Sequence, residues 1–411
     1  MGTLALGPME TYRIGDVTVT DHTLTLPLSP DAADARTIDV FARVADRHPG
    51  DNLPYLVFLQ GGPGCEAPRP WPSWMDAALK RYRVVLLDQR GTGRSTPVSS
   101  PDGWDAEYLS HLRADGIIRD AEAFREHLGA KTWSVLGQSF GGFSTLHYLS
   151  VHPESLDRVY FTGGLSAVGT DPAEIYATTY DSMRAHSEEF YRRYGGRDRM
   201  EKLIEATTAG KIVLPDGEVL SLSRLRSLGL LLGSDAGWLR LRSILDFEPG
   251  SAALAHDIAA ALPYTGRNPL YYVLHESSYA DGFATNWAAQ RVCPQDFRDD
   301  PTLLTGEHVD PEWLDTVPAF KPWKQLTEQL AAWQWPSLYS ASALRESGAR
   351  GAAAVYVNDA FVPLSYSLDT AALVPGVRTW VTSTHEHSGL RSSNGGVLSR
   401  LISLADGALE R

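Results

Sequence analysis

Five short runs of apolar, β-branched and aromatic residues punctuate the first 165 residues: IDVFARVAD (38–46), PYLVFLQ (54–60), YRVVLLD (82–88), WSVLG (133–137) and DRVYFTG (157–163). Between the later runs lie stretches with helical periodicity, GIIRDAEAFREHLG (116–129) and GGFSTLHYLSVHP (141–153). A strand that is apolar throughout is stable only if both faces of its sheet are covered, and helices alternating with strands supply that cover as crossover connections. The pattern predicts an α/β architecture with a mostly parallel central sheet and helices on both faces. From about 170 to 335 the strand-like runs vanish, and segments such as DPAEIYATTYDSMRAHSEEFYRRYG and AGWLRLRSILDF predict helices interrupted by Gly and Pro. Strand and helix then alternate again through AAAVYVND (352–359), VPLSYSLDTAALVPG (362–376) and VRTWVTST (377–384), before a last amphipathic helix, GVLSRLISLADGALE. The expected organisation is a core built from residues 1–169 and 336–411, with 170–335 inserted as a helical cap.

The chain has 411 residues, enough for a full hydrophobic core, and a formal net charge of −13. Such a charge repels a phosphate backbone, and the one arginine-rich stretch, RRYGGRDRMEK (192–202), is mixed in sign, so no nucleic-acid partner is expected. No apolar stretch approaches the ~20 residues that span a bilayer, and the N-terminus lacks the basic and apolar regions of a secretory signal, so a cytoplasmic protein with no membrane partner is expected. Two cysteines, Cys65 and Cys293, provide neither a disulfide framework nor a metal-ligand spacing, and two free thiols are expected. No metal and no cofactor is called for.

GQSFG (137–141) lies between a predicted strand and a predicted helix, the context in which G-x-S-x-G means a nucleophile held on a sharp turn. Glycines two residues either side of Ser139 let strand and helix pass closely while the serine takes a strained backbone conformation. A serine hydroxyl needs a base and an orienting acid to attack near neutral pH. In this strand–turn–helix setting they are expected later in the chain, acid first, each on a loop after a strand. Asp359 follows AAAVYVN and His387 follows VRTWVTSTHE, which makes them the expected partners. His385 competes as the base, and Asp369, inside a predicted helix, competes as the acid. Backbone amides for an oxyanion are expected from Gly62 in LQGGPG (59–64) and from Phe140, the residue after the nucleophile.

GGPG after a strand, DQRGTGRST (88–96), GQSFGG (137–142), TGGL (162–165), LHESSYA (274–280), TGEH (305–308) and EHSGLR (386–391) together resemble the proline iminopeptidases of the α/β-hydrolase fold, in particular a larger bacterial subgroup. The resemblance runs from about residue 35 to the C-terminus. It implies a serine aminopeptidase that releases an N-terminal proline, or another small residue, from a small peptide or amide with a free N-terminus, through an acyl-enzyme. It also implies cap glutamates that hold the substrate's amino or imino group: Glu276 in HESSY, with aromatic neighbours Tyr271, Tyr272 and Tyr279, and as a weaker match Glu307 in TGEH. Tyr279 is placed with them at the substrate. The chain departs from the family pattern at Gln60, where many relatives have His, and after Glu307, where HVDPEW replaces a Tyr-Pro-Trp-like run. Two other readings stay open: an esterase or amidase of the same fold acting on a secondary metabolite, and a non-catalytic ligand-binding homologue.

Overall fold

Among the described residues nine strands form one sheet: β1 (Thr11–Ile14), β2 (Val17–Pro27), β3 (Thr37–Asp46), β4 (Tyr55–Leu59), β5 (Arg83–Leu87), β6 (Trp133–Gln138), β7 (Leu156–Thr162), β8 (Gly351–Tyr356) and β9 (Val377–Thr382). Their order across the sheet is β1-β2-β3-β5-β4-β6-β7-β8-β9. The computed structural model describes residues 9–69 and 71–410, so the expectation of an N-terminus without a signal falls partly on residues 1–8, outside the described residues. The first three strands and the β3–β5 pair are antiparallel, and every pairing from β5 to β9 is parallel.

The α/β architecture read from the sequence is present, and the burial of the strands shows why. All five residues of β4 and all six of β6 and β8 are buried. In β4, Val57 and Leu59 pack on one face with Ile117 and Phe124 of the helix Ala114–His127. Leu56 and Phe58 pack on the other with Trp74 and with Leu401 of the helix Gly396–Ala405. Strand β2 behaves differently: VTVTDHTLTLP alternates buried and half-buried positions, as an antiparallel strand with one wetter face does. The runs singled out from the sequence did not include β1 or β2, because an alternating Thr-rich strand carries no continuous apolar signal.

Strand β4 leads to β5 on one side of it in the sheet, while β6 lies on its other side. Loops leaving the carboxyl ends of β4 and β6 therefore diverge, which opens a crevice where such sheets bind ligands. Between β7 and β8 the chain is predominantly helical, including Pro172–Tyr194, Arg197–Thr208, Gly237–Ile244, Ala252–Ala261 and Lys324–Ala331. The first of these starts cleanly because Asp171 accepts a hydrogen bond from the Ala173 amide and Pro172 occupies the first turn. One carboxylate ties the entry and exit of this stretch together: Asp281 accepts from the Gly169 amide at 2.8 Å and from the amides of Leu338 (2.6 Å) and Tyr339 (3.2 Å). Arg113, buried in the sheet-covering layer, donates to the carbonyls of Ala280 (2.8 Å) and Pro336 (3.0 Å). No described helix is long and apolar enough to cross a membrane.

Close approach of strand and helix at the crevice depends on missing side chains. A Cβ on Gly141 would overlap the Leu59 carbonyl oxygen, whereas a Cβ on Gly396, at the start of its helix, would meet only the Ser393 Cβ at 3.7 Å. Gly141→Ala is expected to lose about 1–3 kcal/mol in denaturant unfolding, as overpacked sites do. Gly396→Ala is expected to be neutral or to gain up to about 1 kcal/mol. Equal stability of the two variants would overturn this account of the turn.

Candidate active site

Strand β6 ends at Gln138 and the helix Phe140–Val151 begins one residue later, so Ser139 alone makes the turn. It does so at φ 55° and ψ −124°, a conformation that costs a non-glycine residue about 1–3 kcal/mol and persists only where its surroundings impose it. Here the Ser139 amide donates to the Thr162 carbonyl (3.1 Å), and the Ser139 carbonyl accepts from Gly142 (2.7 Å) and Phe143 (3.3 Å). A Cβ on Gly137 would meet the Gly141 carbonyl and Thr145 Oγ1 at 2.5 Å, so glycine is needed on both sides of the serine.

Three expected residues come together at this turn. His387 Nε2 lies 2.9 Å from Ser139 Oγ, and His387 Nδ1 lies 3.0 and 2.9 Å from the two carboxylate oxygens of Asp359. Asp359 is itself oriented, its Oδ1 accepting from the amides of Phe361 and Val362, both at 2.9 Å. All three side chains are buried. Burial works against a charged imidazole, but the charge and hydrogen bond of Asp359 outweigh it and lift the His387 pKa above its ordinary value, with Glu307 adding to the rise and Arg391 opposing it. The competitors lie elsewhere: His385 packs edge-on to Trp380, and Asp369 is exposed on the helix Leu364–Leu373.

Gly62 lies on the loop after β4 and faces the same cavity as Ser139. That loop is held by Gln89, which accepts from the Gly64 amide (3.0 Å) and donates to the Gln60 carbonyl (2.8 Å). Phe140 stands at the first helical position, where a backbone amide has no partner within its own helix. The amides of Gly62 and Phe140 donate no hydrogen bond to any described residue. The arrangement can therefore deliver a hydroxyl to a carbonyl carbon, hold the proton it loses, and offer amides to the oxygen that gains charge.

The cavity at Ser139 has a volume of about 340 Å³, and Tyr271, Glu307 and Arg391 line it together with Gly62 and His387. Glu276, the stronger expectation for a substrate glutamate, does not. Its buried carboxylate accepts from the amides of Ala288 (3.1 Å) and Ala289 (3.0 Å) and borders a separate cavity of about 20 Å³. The physical reason lies in a later segment: Trp287 turns into the helix Ala288–Arg291 in a left-handed conformation without a capping side chain, and Glu276 satisfies the amides that follow it. Burial pushes its pKa up, against those amide hydrogen bonds. Glu307 is the carboxylate that faces Ser139. Its Oε1 accepts from the Tyr271 hydroxyl at 2.8 Å, and its charge acts on the nearby Tyr279 phenol as well. Burial pushes the pKa of both phenols up, so both stay protonated and Tyr271 donates to the carboxylate. The neighbouring His308, driven by burial to a pKa of about 3, accepts from the Gly306 amide at Nδ1 (3.2 Å) and reaches Thr179 Oγ1 (3.0 Å) through Nε2, which fixes the loop that presents Glu307.

Gln89 and Arg391 carried no expected role, although both lie in stretches quoted for the family resemblance. Their signal is positional, since Gln89 leaves the carboxyl end of β5 and Arg391 follows His387 by four residues. Both cysteines are free thiols, and burial lifts the pKa of Cys65, on the cavity wall, to about 12. Among the described residues, Asp34, Glu107 and His111 are close enough together to hold a metal ion, but Arg36 already pairs with both carboxylates.

A family model described as the alpha/beta hydrolase fold matches residues 54–197. The proline iminopeptidase of Aeromonas sobria is 36% identical over 423 residues, covering 96% of this chain and 98% of that protein. The proline iminopeptidase aneH of Aspergillus aculeatus is 27% identical over 418 residues, covering 94% and 93%. A probable proline iminopeptidase of Streptomyces coelicolor is 41% identical over 109 residues, covering 26% and 32%.

Attack by Ser139 requires His387 neutral, and its pKa is raised. The rate of adduct formation with a fluorophosphonate should therefore fall on the acid side with a midpoint above about 6.5, the ordinary histidine value. In Asp359→Asn the acid limb should move to lower pH while the maximal rate collapses. An acid limb below 6.5 in the unaltered enzyme would contradict the coupling of His387 to Asp359.

Proposed function

The chain belongs to the proline iminopeptidase family of the α/β-hydrolase fold, and on that premise we propose that it is a serine aminopeptidase releasing N-terminal proline from small peptides or amides. The observation that carries this reading is the presence on one cavity of the Ser139–His387–Asp359 chain and of Glu307, a carboxylate with no ion pair among the described residues.

In the proposed reaction Ser139 Oγ attacks the carbonyl carbon of the N-terminal residue and its proton passes to His387 Nε2. The C=O π pair moves onto the oxygen, which receives hydrogen bonds from the Gly62 and Phe140 amides. Asp359 stabilises the imidazolium and keeps its Nδ1 proton in place. Collapse of the tetrahedral intermediate breaks the C–N bond, His387 protonates the leaving amine, and an acyl ester on Ser139 remains. Water, deprotonated by His387, then repeats the sequence and frees proline.

The free imino group is cationic near neutral pH, and carrying it into a covered pocket is costly without an anion to receive it. Glu307 is the proposed receiver, with Tyr271 and Tyr279 positioning its carboxylate. Glu276 is assigned to the support of the pocket wall, which revises the ranking taken from the motifs. The proposed division of labour follows the expected boundaries, residues 1–169 and 336–411 supplying the catalytic groups and 170–335 the anion that selects a free N-terminus. The proposed setting is the cytoplasm, where a reducing environment keeps thiols such as Cys65 and Cys293 free.

Ser139→Ala should lose at least ~10³-fold in turnover of a proline arylamide, while His385→Ala stays active. Glu307→Gln should lower kcat/KM on that substrate by about 2–5 kcal/mol, the range for breaking a desolvated charge pair, with a much smaller change on a simple acyl ester. Glu276→Gln should affect both substrates equally. Acyl esters turned over efficiently with no activity on unblocked prolyl substrates would replace this reading with that of an esterase.

A further inference from the structure

The cavity at Ser139 contains a cation as well as an anion. Arg391 lines it, donates through Nη1 to Gln138 Oε1 at 3.2 Å, and forms no ion pair with any described carboxylate. The residue is exposed at the cavity wall, and the protein packed around the guanidinium desolvates it enough to lower its pKa. Arg240, also exposed on the wall, is anchored away from the nucleophile, donating to the Ala260 carbonyl at 2.8 Å, whereas Arg391 is anchored to the residue that precedes Ser139.

Glu307 and Arg391 share this space of about 340 Å³ without pairing with each other. Both fields reach His387, one raising its pKa and the other lowering it, so the proton carrier of the reaction lies within range of both charges. Glu307 and Arg391, an anion and a cation without ion-pair partners among the described residues on the wall of one cavity, are best neutralised together by an occupant with a cation at one end and an anion at the other. The interior of a long peptide, or an arylamide, satisfies only Glu307. A dipeptide satisfies both, with the scissile bond between its imino cation and its carboxylate.

We propose that the pocket selects short free peptides, dipeptides beginning with proline above all, with Arg391 binding the substrate's C-terminal carboxylate. The inference rests on the prolyl aminopeptidase reading above and adds the leaving group to it. A guanidinium offers five donors in a planar fork, and with Nη1 turned to Gln138 the remaining donors suit a carboxylate. Gln138 immediately precedes Ser139, so strand β6 sets the position of this fork relative to the nucleophile. The volume falls near the lower end for small-molecule sites, in keeping with a substrate of two residues. The reactions that supply such a substrate are peptide cleavages that leave short fragments with proline first.

The test compares prolylglycine, prolylglycinamide and a proline arylamide on the unaltered enzyme and on Arg391→Gln and Arg391→Lys. In the unaltered enzyme kcat/KM should be about 10- to 100-fold higher for prolylglycine than for its amide, the range for a hydrogen bond between charged groups. Arg391→Gln should bring that ratio close to one, and Arg391→Lys should keep part of it. Using a ratio cancels any general loss from disturbing Gln138. Equal efficiency on the acid and the amide in the unaltered enzyme, with the arylamide cleaved, overturns this inference alone. So does a preference that survives in Arg391→Gln. Failure to cleave any of the three prolyl substrates overturns the aminopeptidase reading and this inference with it.

Discussion

Everything at the active site hangs on one backbone conformation, the positive-φ turn at Ser139. It is unfavourable for a residue with a side chain, and the fold imposes it from several directions. Hydrogen bonds anchor the serine's own amide and carbonyl, and glycines at 137 and 141 remove the atoms that would hold strand and helix apart. The sharp reversal puts the hydroxyl at the carboxyl end of β6, beside the loop leaving β4. Parallel pairing of β4 with β6 thus brings Gly62 and Ser139 to one cavity, although 76 residues separate them, from 62 to 139. Gln89, leaving β5, holds the β4 loop from the far side, so three neighbouring strand ends build the site together.

The helical stretch between β7 and β8 does more than roof the cavity. His186, on the helix Pro172–Tyr194, lies with Nε2 3.2 Å from the carbonyl of Asn358, next to Asp359. Trp238, on the helix Gly237–Ile244, donates to Glu386, next to His387, at 2.9 Å. The two loops that carry Asp359 and His387 therefore each touch the helical layer one residue away from those side chains. Asp281 closes the base of that layer, and His308 stiffens the segment presenting Glu307.

The sheet, the order of the serine, aspartate and histidine, and the glycine-rich loop were all legible in the chain, because each has a local signature: continuous apolar strands, a residue at a strand's carboxyl end, a glycine pair around a hydroxyl. What escaped was set by contacts between distant segments. Strand β2 pairs antiparallel with β3 and keeps one wetter face, so its Thr-rich alternation looked unlike the other strands. Glu276 and Glu307 carry the same chemistry, and no local pattern tells which faces the serine. The choice is made by the left-handed turn at Trp287, whose following amides draw Glu276 away, and by Tyr271, whose hydroxyl meets Glu307. Arg391 stood inside a quoted motif, but its meaning depends on having no carboxylate partner, which only the assembled fold defines.

The electrostatics of the cavity follow from that assembly. Asp359, shielded from solvent and saturated by two amides and the imidazole, stabilises a proton on His387 strongly enough to overcome the cost of burying it. Glu307 would strengthen that hold further, and an enzyme whose base binds its proton too firmly is slow to take one from serine. Arg391 works in the opposite direction. In the proposed reaction a substrate with a free imino group would neutralise Glu307 at the moment the base must act, and so remove part of the field that raises the His387 pKa. A carboxylate on Arg391 removes the opposing part. On the proposed binding mode a dipeptide would compensate both fields and leave the base governed by Asp359, whereas a substrate with a neutral leaving group would compensate only one. The charges proposed to select the substrate and the charge of Asp359 are thus parts of one electrostatic arrangement around His387.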